Sequence, residues 1–86
     1  MFVAHVQVTI KEEVLDPQGK AVEGALHSLG FAEASRVRVG KFMELTLDLE
    51  DRAEAEARVR KMCEQLLANT VIEDYRFELQ EAQGGQ

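Results

Sequence analysis

The chain has 86 residues and a formal charge of −6, with 16 acidic against 10 basic side chains. A single domain of this size buries only a modest core, and its acidic balance argues against nucleic-acid binding, which requires basic patches that displace counterions. One cysteine excludes an internal disulfide and leaves no Cys-x-x-Cys metal or redox motif. No segment approaches the roughly 20 apolar residues of a membrane span, and the N-terminal residues do not resemble a signal peptide. We therefore expect a cytoplasmic protein.

The first two predicted elements are a strand and a helix. Even-numbered residues from Phe2 to Ile10 are apolar and alternate with mostly polar ones, which is typical of a strand with one buried face. Asp16 followed by Pro17 predicts a helix start, because the carboxylate can accept from free amides and proline is preset for the first helical position. Gly30 predicts the helix end, since glycine adopts the left-handed conformation there without a Cβ penalty.

The middle of the chain admits two interpretations. Apolar residues occupy odd positions from Val37 to Leu49, with Lys41 as the exception. This unbroken phase favours one long strand that is bent or bulged near Gly40. A hairpin at Gly40 would turn Glu44 into the core, so the resulting βαββαβ, ferredoxin-like order is the alternative.

A second helix and a third strand complete the pattern. The helix is predicted to begin after Asp51, whose spacing to Glu54 matches a capping box. Asn69 is a reasonable residue for its C-terminal cap. Apolar and charged residues then alternate from Val71 to Leu79, which predicts a strand.

The predicted fold is an α+β two-layer sandwich in the order βαβαβ, with two helices on one face of a largely antiparallel sheet. It forms a single domain over residues 1–80, followed by a flexible tail at 81–86. The other sheet face carries Val3, His5 and Phe42 among charged neighbours. An open, half-apolar face with free sheet edges predicts self-association.

Candidate catalytic groups are few. His5 and His27 are the only histidines, and neither has the companions of a catalytic triad or a metal site. Cys63 lies on the apolar stripe of the second helix near its C-terminus, where the dipole disfavours a thiolate, so we expect it in the core. Gly19 and Gly24 lie inside a helix and form no phosphate loop; their small size either admits a nearby backbone or partner, or is simply tolerated. We assign no catalytic residue and no metal site.

Several separated blocks of this chain resemble the PurS family, the small subunit of phosphoribosylformylglycinamidine (FGAM) synthase. The similarity extends from about Val8 to Leu79. It is carried by Val14–Gly19, Leu29–Phe31, Val37–Arg38, Gly40–Lys41 and Met62–Tyr75. The clearest departure is Thr70, where the family pattern has a proline that would stop the helix.

The resemblance implies a non-catalytic subunit of de novo purine biosynthesis. In such a complex, a synthetase large subunit (PurL) uses ATP and magnesium to activate the amide oxygen of formylglycinamide ribonucleotide (FGAR), and a glutaminase subunit (PurQ) releases ammonia. The small subunit would form a homodimer or tetramer that bridges the two and closes the ammonia route. It would carry no cofactor of its own.

The residues expected to contact partners share the strand–helix junctions and the long strand. They are Asp16, Pro17, Gln18, Gly19, Arg38, Lys41, Phe42, Asn69, Glu73, Asp74 and Tyr75. Capping alone would explain Asp16, Pro17 and Asn69, although it does not require Gln18 or Gly19. The alternative function is a regulatory module that binds a small molecule at a dimer interface, and a stand-alone enzyme is a more distant third.

Overall fold

The computed structural model describes residues 1–82. Three strands and two helices follow one another in the predicted order βαβαβ, and a π-helical turn directly continues the second helix. They are β1 (Phe2–Ile10), α1 (Pro17–Ser28), β2 (Gly40–Leu47), α2 (Arg52–Met62), the π-turn (Cys63–Leu67) and β3 (Glu73–Glu81).

The strands form one antiparallel sheet with β1 in the centre, in the order β2-β1-β3. Val6 of β1 lies between Met43 of β2 and Phe77 of β3. Side chains at even positions of β1 point to the same face, which we call the inner face, and Phe2, Ala4, Val6 and Val8 are all buried there. The alternation predicted for the first strand is confirmed.

The core lies between this inner face and α2 with its π-turn. Ala55, Val59 and Cys63 are fully buried against it, and Ala68 closes its end. Small residues at these positions allow the helix to approach the sheet closely. The prediction that Cys63 is a core residue is confirmed.

The middle strand is a single strand without a hairpin, but it is shorter than predicted because it begins at Gly40. The preceding residues are not paired with a strand; the amides of Val37 and Val39 donate to carboxylates at the start of α1 and within it. A Cβ atom at position 40 would overlap the carbonyl oxygen of Val8. Glycine is therefore needed where β2 first approaches β1.

Both predicted ends of α1 are confirmed. Asp16 caps the N-terminus by accepting from the amide of Gly19 at 3.0 Å. At the other end Gly30 has a φ of 99°, the amide of Gly30 donates to His27, and the amide of Phe31 donates to Leu26. This pair of hydrogen bonds is a Schellman motif, which satisfies carbonyl groups of the last turn.

α1 does not cover the sheet as α2 does. Gly19 is its only buried residue, and Val22 and Leu29 are exposed, the latter by 73%. Its first turn faces the segment before β2, because Asp16 and Glu23 bind backbone amides there. The inner face is thus covered by α2 and the π-turn, while Val22 of α1 and Leu29 at its C-terminal end remain exposed to solvent.

The last strand begins later and ends later than predicted. Val71, predicted to open it, lies in the preceding turn and is 80% exposed. β3 extends through Glu81, and the amide of Ala82 donates to the carbonyl of Met1. The rest of the predicted tail, 83–86, lies outside the described residues.

Candidate partner-binding site

The structure divides the residues predicted from the sequence among three places. Asp16, Pro17, Gln18, Gly19 and Arg38 lie around the start of α1. Lys41, Asn69, Glu73 and Tyr75 lie at one end of the inner face, near the π-turn. Phe42 and Asp74 lie on the opposite, outer face of the sheet.

Asp16 connects two distant segments of the chain. Its Oδ1 accepts from the amide of Gly19 at 3.0 Å, and its Oδ2 accepts from the amide of Val39 at 2.9 Å. The hydrogen bond from Gly19, then that from Val39, holds the pKa of the Asp16 carboxyl below its ordinary value. Asp16 is therefore more than a helix cap, since it also orients the backbone that leads into β2.

Gly19 is required by this arrangement. A Cβ atom at position 19 would overlap the carbonyl oxygen of Val37 and would lie 2.6 Å from Oδ2 of Asp16. The close backbone approach inferred from its small size is confirmed, and the neighbouring backbone belongs to the same chain. Gly24 differs, because a Cβ atom there would meet nothing within 4 Å.

A cleft of about 430 Å³ lies between the start of α1 and the segment before β2. We call it the α1 cleft; the charged residues that line it are Glu12, Glu13, Asp16, Lys20, Glu23, Arg36 and Arg38. The Arg38 side chain is 27% exposed, and its Nη1 lies 3.8 Å from Glu12. Its Nη2 is buried and has no hydrogen-bond acceptor among the residues that the structure describes.

Asn69 and Glu73 form a tight turn at the end of the inner face. The amide of Asn69 donates to Oε1 of Glu73 at 2.7 Å, and the amide of Glu73 donates to the carbonyl of Asn69 at 2.7 Å. Oδ1 of Asn69 accepts from Val71, and Lys41 lies 3.8 Å from Oε2 of Glu73. Ala68, rather than Asn69, is the C-terminal cap of the preceding π-turn, so the predicted capping role of Asn69 is wrong.

The π-turn that precedes the Asn69 turn exposes an apolar side chain that regular helical spacing would bury. Leu66 continues the helical spacing of Val59 and Cys63, which would place it on the same buried stripe, but it is 82% exposed. The amide of Ala68 donates to Cys63, five residues earlier, which is the hydrogen-bond pattern of a π-helix. This wider turn shifts the helical phase, so that Leu67 and Ala68 face the core and Leu66 points away from it.

Cys63 and Tyr75, two groups near the π-turn whose pKa values are shifted, are not activated nucleophiles. Burial raises the pKa of the Cys63 thiol, and the neighbouring Glu64 raises it further. Desolvation and a 2.9 Å hydrogen bond to Glu64 raise the pKa of the Tyr75 phenol. Both groups are therefore held in their neutral forms.

The outer face carries His5 at its centre. Nε2 of His5 lies 2.9 Å from Oε2 of Glu44, and the ring centroids of His5 and Phe42 are 5.6 Å apart. Phe42 is exposed, and Asp74 lies 3.9 Å from Lys11. The predicted half-apolar outer face is present, with its charged groups in exposed pairs that contribute little to stability.

Within residues 1–82, no three metal-ligating side chains converge, and no helix is long and apolar enough to cross a membrane. The polar groups around α1 and Asn69 bind backbone amides and order the two turns. Exposed apolar side chains flank both places, at Leu15 beside the start of α1 and at Val71 in the turn after Asn69. Together the fold and these surfaces define a small α+β module suited to contacts between proteins.

Comparison with known proteins identifies the family. The PurS family model, described as phosphoribosylformylglycinamidine (FGAM) synthase, matches residues 3–81. A Bacillus subtilis relative, phosphoribosylformylglycinamidine synthase subunit PurS, is 56% identical over 81 residues, which are 94% of this chain and 95% of that protein. The solved structure of Methanocaldococcus jannaschii PurS has a TM-score of 0.85 at 32% identity and covers 96% of this chain and 100% of its own.

A chain in the solved structure of PurLQS from Thermotoga maritima has a TM-score of 0.82 at 28% identity, covering 93% of this chain and 99% of that one. The protein belongs to the PurS family. It is a subunit of FGAM synthase, in purine biosynthesis.

Proposed function

We propose that this protein bridges the synthetase subunit (PurL) and the glutaminase subunit (PurQ) of FGAM synthase in the cytoplasm, without taking part in the chemistry. The observation that carries the proposal is the open apolar side of α1. This helix is capped at both ends and so is well ordered, yet Val22 and Leu29 remain exposed. Uncovered apolar surface on an ordered helix of a small domain favours a protein partner.

In the proposed assembly, PurL supplies ATP and magnesium and activates the amide oxygen of FGAR, while PurQ releases ammonia from glutamine. The products are FGAM, ADP, phosphate and glutamate. The small protein needs no cofactor for this role, because it contributes surface and geometry. Holding the two subunits in register would keep ammonia from escaping between them.

Self-association as a homodimer or tetramer is part of the proposal. It is supported by two separate surfaces, the apolar side of α1 and the outer face around Phe42. Within residues 1–82, the outer edges of β2 and β3 pair with no further strand and could pair with another chain. No feature of the described residues favours the alternative of a small-molecule regulatory module.

Assembly is tested by sedimentation velocity on the protein alone and mixed with its cognate PurL and PurQ. The variant Leu29→Asp places a charge on the exposed apolar side of α1, and Ser28→Asp places the same charge one residue earlier. We expect Leu29→Asp to weaken self-association or complex formation by roughly tenfold or more, because desolvating a carboxylate in an apolar contact is costly. Ser28→Asp should assemble as the wild type does; equal assembly by both variants would count against the α1 surface.

A further inference from the structure

We propose that a second copy of this chain covers the open side of α1, with the two α1 helices packed antiparallel across a two-fold axis near Ala25. The inference rests on the self-association in the proposed function and names the contact that produces it. It starts from the position of α1, which projects away from the sheet. Within residues 1–82, no apolar side chain of this helix belongs to the hydrophobic core or packs against it.

The dimensions of the chain show that contacts of a compact domain are missing. Its radius of gyration is 16.5 Å, whereas a compact domain of this length has about 12 Å. It exposes 6245 Å² of surface, roughly 1,100 Å² more than the ~5,100 Å² of a compact monomer of this size. A stable protein interface buries about 800 Å² on each partner. The surplus surface therefore has the size that one stable contact between two copies would cover.

The open side of α1 is a short apolar stripe with a small residue at its centre. Val22, Ala25 and Leu29 follow helical spacing and therefore lie on one side of the helix. Val22 is 42% exposed, Leu29 is 73% exposed, and Ala25 is also exposed. None of the three is charged. Two copies of a chain with a formal charge of −6 can therefore meet here without bringing like charges into contact.

This stripe is complementary to itself, which favours a second copy over the larger subunits as its partner. A two-fold axis at Ala25 places Val22 of each copy against Leu29 of the other, as an isologous contact requires. The two alanines at the axis allow the helices to approach closely. The antiparallel direction also sets the positive end of each helix dipole beside the negative end of the other.

Crosslinking locates the proposed axis. Ala25→Cys places a thiol at the axis, and Lys20→Cys places one on the opposite, exposed side of the same helix. The buried Cys63 is present in both variants and should not take part. We expect mild oxidation to link most of Ala25→Cys into dimers and hardly any of Lys20→Cys. Equal linking of both variants, or no linking of Ala25→Cys while the protein sediments as a dimer, would overturn the antiparallel contact.

Two charged variants test which residues face each other. Val22→Lys and Leu29→Glu should each dimerise roughly tenfold or more weakly than the wild type, because each homodimer buries two charges in apolar contacts. In an equimolar mixture the two new charges face each other, and the second Val22–Leu29 contact remains as in the wild type. The mixed dimer should therefore form at least about threefold more tightly than either homodimer. A mixture that associates no better than its components would refute this pairing.

The inference and the bridging function fail in different ways. A wild type that sediments as a monomer at the concentrations used for assembly would overturn the inference, while glutamine-driven turnover that requires the small protein would leave bridging intact. Maleimide labelling of Ala25→Cys identifies the other possible occupant. We expect the thiol to be protected already in the isolated dimer. Protection that appears only after PurL or PurQ is added would assign the stripe to a larger subunit and overturn the inference.

Discussion

The carboxylate of Asp16, at the start of α1, accepts a hydrogen bond from the amide of Val39, the residue before β2, at 2.9 Å. The same carboxylate caps α1 through Gly19 at 3.0 Å. One side chain therefore sets the position of a helix relative to the edge strand. Because α1 has little other burial, its orientation, and with it the α1 cleft, depends on this pair of bonds.

Asp16→Asn should destabilise the protein at neutral pH. The amide side chain can still accept from one backbone N–H, but its NH₂ group would face the other donor. The folded-state pKa of Asp16 lies below the ordinary value of 3.8, so its stabilising contribution is fully present above that pH and is lost as the pH falls through the folded pKa. Urea unfolding followed by circular dichroism at neutral pH and below pH 4 measures both effects.

The wild type should lose more stability than Asp16→Asn over that acidic window, because only the wild type has a carboxylate to protonate at position 16. Asp48→Asn, at an exposed position before α2, is the matched control and should follow the wild-type curve. A pH profile of Asp16→Asn parallel to that of the wild type would contradict the assigned role.

Two glycines of the same helix should respond oppositely to alanine. Gly19→Ala is expected to destabilise the protein, since the new Cβ would overlap the carbonyl of Val37. Gly24→Ala should stabilise the isolated protein by about 1 kcal/mol, because alanine is the better helix former and the space there is open. Thermal unfolding of the two variants side by side tests the geometry; stabilisation by Gly19→Ala would show that the close approach is absent.

Cys63 should be nearly unreactive in the native protein. It is fully buried, and its pKa is raised by burial and by Glu64, so little thiolate forms near neutral pH. An aromatic disulfide reagent at pH 8 should modify it slowly under native conditions and rapidly in denaturant. Rapid native modification would mean that the packing of α2 on the sheet opens readily.

Asn69→Ala should loosen the turn before β3 and cost about 1 kcal/mol, the usual net value of one hydrogen bond. Its Oδ1 accepts from the amide of Val71 at 3.2 Å, so the loss should also mobilise the exposed Val71. Hydrogen exchange at the Val71 amide and denaturant unfolding provide the measurement. Thr70→Ala, one residue further on, is the control, and equal faster exchange in both variants would remove the special role of Asn69.

Local signals predicted much of this fold because they act over a few residues. The alternation of apolar and polar residues predicted the buried face of β1. Asp16, Pro17 and Gly30 predicted the two ends of α1. The antiparallel sheet and the single middle strand were also predicted, from the order of the elements and the phase of the apolar residues, whereas the strand order β2-β1-β3 was not.

The remaining features depend on contacts that sequence spacing does not encode. The late start of β2 results from amides of the preceding segment that bind Asp16 and Glu23. The exposure of Leu66 follows from a π-helical hydrogen bond, which shifts the phase of an otherwise regular stripe. The candidate site was only partly foreseen: Arg38 was selected, but its unpaired buried donor became visible only in three dimensions.

The central claim is that this protein couples the two larger subunits, and reconstituted turnover tests it most directly. Cognate PurL and PurQ are assayed for ATP hydrolysis on FGAR with glutamine or ammonia as nitrogen donor, with and without the small protein. The account predicts that glutamine-driven turnover requires the small protein, while ammonia-driven turnover survives its omission. Glutamine-driven turnover at an unchanged rate without it would contradict the account.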